Sequence, residues 1–159
     1  MAKLRPKTPK LAQKISQCAT GFANLRSQGS QAESFDAQSP TWSFVIADKR
    51  GPESLYSDRA GSDWSGIILP KLRDFEGLTW ADIKRQTHGH GKSSNHHVPV
   101  NKMLNKVGKR LAELNLDETG QLFSLRLDSR KRIYGIKIGS VLRVIWYDPD
   151  HRLYPTRAN

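Results

Sequence analysis

The chain has 159 residues, and its 26 Lys and Arg against 15 Asp and Glu give a net charge of +11. A hydrophobic content of 36% supports one modest core and excludes two independently folded domains, while four Trp, four Tyr and five Phe argue against disorder throughout. The sequence has no run of 18 apolar residues, and its single cysteine, Cys18, fits a reducing compartment. We therefore expect a cytoplasmic protein.

Positive charge is concentrated in three parts of the chain. Residues 1 to 35 carry +5, residues 71 to 115 carry +5 and residues 116 to 159 carry +3, whereas residues 36 to 70 carry −2. Such clustering favours a polyanionic partner, meaning nucleic acid, the ribosome or an acidic protein, over a neutral metabolite. A basic surface that only maintains solubility has the same composition.

Residues 1 to 40 are predicted to form a basic N-terminal arm, and residues 41 to 159 a single domain. In the arm, Pro9 begins a predicted helix with apolar residues on one side and lysines on the other. A linker rich in Ser, Gln and Gly completes the arm. In the domain, residues 42 to 47 predict a first strand because aromatic and β-branched residues dominate them, and residues 51 to 66 predict a long loop.

Three helices are predicted after this loop. The first covers residues 67 to 74, and Thr79 caps a second, short one. The third runs from Pro99 to residue 114, where apolar residues at spacings of three and four predict a buried face. These residues are Val100, Leu104, Val107, Leu111 and Leu114. The opposite side is either a stripe that contacts phosphates or a solvated helix face. Its cationic residues are Lys102, Lys106, Lys109 and Arg110.

The last third of the chain predicts a three-stranded antiparallel meander. Its strands cover residues 122 to 127, 132 to 138 and 141 to 147. A two-residue turn, Gly139-Ser140, joins the last two strands, and counting outward from it places Arg132 opposite Tyr147. The order of strand, helices and three strands predicts an α+β fold with helices packed on one face of a small antiparallel sheet.

Three segments of this region form a recognisable pattern of a basic strand, an arginine-rich strand and an apolar strand that ends in His or Tyr. They are Phe123-Ser-Leu-Arg126-Leu, Arg132-Ile-Tyr134-Gly-Ile and Val144-Ile-Trp146-Tyr147-Asp148-Pro149-Asp150-His151. Over residues 42 to 155 the chain resembles the RelE/ParE superfamily of bacterial toxins. The resemblance implies a RelE-like fold and an antitoxin protein as partner. It also implies either metal-independent cleavage of mRNA, often at the ribosome, or inhibition of DNA gyrase.

Cleavage of this kind begins with attack of the ribose 2′-OH on the adjacent phosphate, so it needs cations for the phosphorane and groups that move protons. Arg126 and Arg132 lie on adjacent predicted strands and could converge on one phosphate. His151, after an Asp-Pro-Asp turn, and Tyr147 are the candidate proton-transfer residues. The alternative is that the arginines are solvated or pair with Asp128 and that His151 is an exposed turn residue. No metal or cofactor is expected.

Four of the five histidines lie within residues 88 to 97, at His88, His90, His96 and His97. The favoured interpretation is a loop that contacts phosphates through histidines and backbone amides; a metal site and an inert linker are the alternatives. The predicted nucleic-acid contacts are Lys92, Lys102, Lys106, Lys109, Arg110 and Arg143. The sequence thus predicts a toxin-like endoribonuclease that needs no metal. The alternative is a non-catalytic inhibitor that binds nucleic acid or protein, such as a gyrase inhibitor or a phage or plasmid accessory protein.

Overall fold

The structure is a computed structural model, and it describes residues 35 to 51, 53 to 88 and 91 to 155. The predicted arm up to residue 34, with its helix, lies outside these residues. Within them the protein has the predicted α+β architecture. None of the helices in these ranges is long and apolar enough to cross a bilayer.

A five-stranded mixed sheet is the centre of the described fold. Its strands are β1 (Thr41–Ser43), β2 (His96–Pro99), β3 (Gln121–Arg126), β4 (Arg132–Ile138) and β5 (Val141–Asp148). The spatial order is β1-β5-β4-β3-β2, with β1 parallel to β5 and every other pair antiparallel. The predicted meander is confirmed as β3, β4 and β5. The sheet is not purely antiparallel as predicted, and β2 is a strand that the sequence prediction lacks.

The segment between β1 and β2 is largely helical. It contains α1 (Asp58–Asp63), a π-helical turn (Trp64–Ile68), α2 (Leu69–Glu76) and α3 (Trp80–Arg85). The predicted loop over residues 51 to 66 is therefore wrong in its second half, where the Ser57 side chain accepts a hydrogen bond from the Ala60 amide and begins α1. The predicted cap of the short helix is confirmed, since Thr79 and Asp82 form a capping box at the start of α3.

The last helix, α4, spans Asn105–Glu113 and is shorter than predicted. Pro99 ends β2 instead of beginning a helix. Leu104 is 39% exposed, which contradicts its predicted burial, because it is the extended N-cap residue and does not share the helical phase. Met103 occupies the inner position instead and is 6% exposed. Two predicted core positions of the helix are buried, Val107 and Leu111.

Helices lie on both faces of the sheet, so the predicted one-sided packing is wrong. Leu122 of β3 packs in one hydrophobic cluster with Val107 and Leu111 of α4. The next residue, Phe123, packs on the other side, with its ring centroid 5.2 Å from that of Trp80 in α3. Successive strand residues point to opposite faces, so the two clusters enclose the sheet between them. We call the face that carries Leu122 the α4 face.

A β-bulge in β5 determines which residues share the α4 face. Pairing follows the predicted register outward from the turn as far as Gly135, where β5 gains one extra residue. A Cβ at Gly135 would clash with the Arg143 carbonyl oxygen, so only glycine permits this close approach of the two backbones. Beyond the bulge Arg132 pairs with Asp148, and its predicted pairing with Tyr147 is wrong.

The segment from residue 35 to residue 40 packs against the domain, although the sequence analysis places it in the arm. The Gln38 carbonyl accepts a hydrogen bond from the Trp80 amide (3.0 Å). The Asp36 carboxylate forms an ion pair with Lys84 at 2.7 Å. In the described residues the domain therefore begins several positions before the predicted boundary.

Candidate active site

Two arginines converge at one end of the β3–β4 ladder. Arg126 and Arg132 are paired in register on the α4 face. The Asp128 carbonyl oxygen accepts a hydrogen bond from Arg126 Nε (2.8 Å) and another from Arg132 Nη1 (2.9 Å), so both guanidinium groups meet at one atom. The turn that presents this carbonyl is itself fixed, because the Asp128 carboxylate accepts hydrogen bonds from the Arg130 and Lys131 amides.

Arg132 is a buried cation held by backbone carbonyls. It is 8% exposed, and its guanidinium donates to carbonyl oxygens of the adjoining turn. Among the residues that the structure describes, no carboxylate oxygen lies within 4 Å of Arg126 or Arg132. Burial, and then the charge of Arg126, lowers the pKa of Arg132. The pair therefore presents positive charge without a carboxylate in contact, which suits an anionic ligand.

Asp148 holds the segment that follows β5. Its carboxylate is 1% exposed and accepts hydrogen bonds from the Arg152 amide (2.9 Å) and the Leu153 amide (2.8 Å). The Leu153 carbonyl accepts a hydrogen bond from the Leu104 amide (3.1 Å), next to α4. The segment thus folds back over the α4 face. His151 lies in its turn with a φ of 57°, a left-handed conformation that few non-glycine residues adopt.

The turn is anchored on Asp148, the residue paired with Arg132, so His151 lies at the same end of the sheet as the arginine pair. Burial lowers the pKa of the His151 imidazole below its usual 6.5, and the charges of Arg132 and, to a smaller extent, Arg126 lower it further, against the opposing charge of Asp148. The imidazole is therefore mainly neutral at neutral pH, the form that can accept a proton. Of the four predicted catalytic residues, the structure brings these three together: Arg126, Arg132 and His151.

Tyr134 adds a buried hydroxyl to the same neighbourhood, and the predicted site did not include it. The ring lies on the α4 face, paired with Ser124 across the β3–β4 ladder. Burial raises the pKa of Tyr134, so the phenol is protonated at neutral pH. Its oxygen has no hydrogen-bond partner among the described residues. The sequence could have indicated Tyr134 as a site residue, because side chains alternate along a strand and those of Tyr134 and Arg132 therefore lie on the same face of β4.

His96 also belongs to this group. It lies on β2 directly opposite Ser124, and its side chain therefore shares the α4 face. Its charge is among those that lower the pKa of His151. The adjacent His97 points to the other face, where its ring centroid lies 5.0 Å from that of Phe123. Strand β2 takes up the end of the predicted histidine-rich loop, and its two histidines lie on opposite faces of the sheet.

Within the described ranges, no group of three or more His, Cys, Asp or Glu side chains could hold a metal ion. His96 Nδ1 instead lies 3.1 Å from the Ser93 carbonyl oxygen. Lys92, which precedes β2, is exposed. His90 lies outside the described residues.

Tyr147 lies on the other side of the sheet from the arginines. It is fully buried, and its hydroxyl donates a 2.6 Å hydrogen bond to the Asp63 carboxylate at the end of α1. Burial, and then Asp63, raises the pKa of Tyr147. The bulge at Gly135 is the cause of this placement, because one extra residue in β5 reverses the face of every residue beyond it. The predicted role of Tyr147 in proton transfer at Arg132 does not fit this geometry.

Two of the residues predicted to contact nucleic acid form ion pairs with carboxylates of this chain. Arg110 donates from Nε (2.7 Å) and Nη2 (2.6 Å) to the buried Asp48 carboxylate and also forms an ion pair with Glu113. Lys106 pairs with Glu53. Arg110 therefore stabilises the fold rather than offering its charge to a phosphate, and the predicted cationic stripe on α4 is interrupted.

The remaining predicted contacts differ in position. Lys102 is exposed in the turn before α4, and Lys109 is exposed in the middle of α4. Arg143 is half-buried on β5 and pairs with Ile136, before the bulge, so it lies at the other end of the β4–β5 ladder from Arg132.

Comparisons with protein-family models, curated proteins and solved structures find no match to this chain. Two guanidinium groups can stabilise a developing negative charge, and a neutral imidazole beside them can accept a proton. Both functions suit the breaking of a phosphodiester bond.

Proposed function

We propose that this protein is a toxin-like endoribonuclease of the RelE/ParE type that binds RNA and cleaves it without metal. The observation that carries the proposal is the meeting of Arg126 and Arg132 at one carbonyl oxygen beside His151. Arg132 is buried with no carboxylate in contact, which is costly for a cation, so its position favours an anionic ligand beside the pair.

The proposed reaction uses these three residues in separate roles. The neutral His151 imidazole removes the proton of a ribose 2′-OH, whose oxygen then attacks the adjacent phosphorus. Arg126 and Arg132 donate hydrogen bonds to the non-bridging oxygens as the phosphorane gains charge. Fixed guanidinium groups need little reorganisation at this step, because the Asp128 carbonyl already holds both of them.

The flanking RNA backbone would contact the exposed lysines. Lys92, Lys102 and Lys109 are exposed and can each neutralise one phosphate, which predicts weaker binding at high salt. RNA is the proposed substrate, either free or as an mRNA at the ribosome. An antitoxin protein that covers Arg126, Arg132 and His151 is the proposed partner.

Inducible expression with sequencing of RNA 5′ ends tests the proposal. Wild-type protein should arrest growth and create new 5′ ends inside translated messages, whereas Arg132→Ala should do neither. Arg73→Ala is the matched control, because Arg73 is an exposed arginine on α2, in the helical layer on the other side of the sheet. Growth arrest without new ends would refute the endoribonuclease. If that arrest also disappeared when Lys102, Lys106 and Lys109 were neutralised, the non-catalytic inhibitor would be the better account.

A further inference from the structure

His96 is held in a defined orientation at the edge of the sheet. Its Nδ1 lies 3.1 Å from the Ser93 carbonyl oxygen, which can only accept a hydrogen bond. Nδ1 therefore carries a hydrogen, and Nε2 is left as the nitrogen that gains or loses a proton. Ser93 is held in place as well, because its hydroxyl donates a hydrogen bond to a backbone carbonyl. The Lys84 and Asn95 carbonyl oxygens lie 2.6 and 2.8 Å from its Oγ.

Two independent features of the fold place His96 and His151 on the same side of the sheet. The register of β2 with β3 puts His96 opposite Ser124 on the α4 face. The segment after β5 folds over that face, where Leu153 packs in one cluster with Val98 of β2. The arginine pair lies at the β3–β4 end of the same face. The arginine pair thus shares its face of the sheet with one imidazole at the strand edge and another in the C-terminal turn.

We propose that His96 is the second proton-transfer group of the reaction and protonates the leaving oxygen. This inference rests on the proposed function and extends it. His151 takes the 2′-OH proton, the bond from the 2′-oxygen to phosphorus forms, and the bond from phosphorus to the 5′-oxygen breaks. The 5′-oxygen receives the Nε2 proton of His96 in its imidazolium form. The products are a 2′,3′-cyclic phosphate and a 5′-hydroxyl. His151 ends the step protonated and His96 neutral, and exchange with water restores both.

A substrate with a single 5′-bridging sulfur tests this role directly. Sulfur leaves as a thiolate and needs no proton, so loss of the acid should matter only for the oxygen substrate. The variant is His96→Asn, whose amide can keep the hydrogen bond to the Ser93 carbonyl while it lacks the Nε2 proton. We expect it to cleave the oxygen-bridged RNA about 10²-fold more slowly than wild type and the sulfur-bridged RNA at nearly the wild-type rate. His151→Ala should lose activity on both substrates.

The control is His97→Asn, which changes the neighbouring residue on the opposite face and should leave both rates close to wild type. Partial unfolding of His96→Asn would lower the cleavage rates of the oxygen-bridged and sulfur-bridged RNA by the same factor. The measured quantity is therefore the ratio of these two rates. If the ratio in His96→Asn equalled that of the wild type, the role of His96 would be overturned, but the proposed endoribonuclease activity would not. Absence of cleavage of either substrate by the wild-type protein would overturn the proposed function and this inference together.

Discussion

Replacing Asp48 by Asn should destabilise the domain strongly, because this carboxylate joins three parts of the chain. It is buried and accepts four hydrogen bonds, from Arg110 Nε and Nη2, the Trp146 indole and the Arg50 amide. Each Asp48 carboxylate oxygen accepts two of these hydrogen bonds. In an asparagine, an NH₂ group would replace one oxygen and would face two N–H donors without accepting from them. Breaking a buried ion pair at one partner typically costs about 3 to 5 kcal/mol. For a chain of this size that corresponds to a fall in Tm of about 10 °C.

The pH dependence of stability gives a second measure of the same contact. Burial alone would raise the pKa of Asp48, but the hydrogen bonds from Arg110 and Trp146 outweigh it and lower the pKa to about 2 from 3.8. The stabilisation is therefore present above pH 3.8 and is lost as the pH falls toward 2. Its size is about 2 kcal/mol, since one pKa unit corresponds to about 1.4 kcal/mol.

Guanidinium chloride and thermal unfolding of Asp48→Asn measure the effect. Glu113→Gln is the matched control, because Glu113 pairs with the same arginine from the exposed side of α4. Exposed pairs of this kind contribute about 0.2 to 1 kcal/mol. If Asp48→Asn cost no more than Glu113→Gln, the argument that Arg110 stabilises the fold would fail, and its role as a phosphate contact would have to be reconsidered.

Three further outcomes are expected. NMR titration should find the pKa of His151 below 6.5, because burial and neighbouring arginines disfavour its charged form; a value above 6.5 would remove the neutral base. Gly135→Ala should destabilise the protein by about 1 to 3 kcal/mol in urea unfolding, whereas Gly77→Ala, with ordinary space for its Cβ, should cost less; equal effects would contradict the close approach at the bulge. Tyr147→Phe should lose about 1.5 to 3 kcal/mol of stability and keep full RNA cleavage, and a large loss of cleavage would mean that Tyr147 acts in the site.

The elements that the sequence predicted well are those whose signals are local. The meander was predictable because β-branched and aromatic runs alternate with a Gly-containing turn. The cap of α3 was predictable because Thr79, a preferred N-cap residue, precedes a short helix with apolar residues. Helix α1 and strand β2 lack such patterns. Asp58–Asp63 is rich in residues that favour turns, and the His-His pair of β2 becomes a strand through its pairing with β3.

The candidate site was partly predictable for the same reason. Arg126 and Arg132 lie on strands that the alternation identified, and His151 follows a legible turn. Tyr147 was assigned to the wrong face because the bulge was not predicted. A bulge depends on the close approach of two backbones, and its only signal in this sequence is the glycine at position 135. His96 enters the site through the position of β2, which is a tertiary property.

Cleavage of a labelled RNA by the purified protein in excess EDTA, with analysis of the product ends, tests the central claim most directly. We predict fragments that end in a 2′,3′-cyclic phosphate and begin with a 5′-hydroxyl. Their rate of formation should fall about 10² to 10⁴-fold in His151→Ala, and by a comparable factor in Arg132→Ala, while both variants remain folded. Products that end in a 3′-hydroxyl, or undiminished cleavage by a folded variant lacking both side chains, would contradict the account.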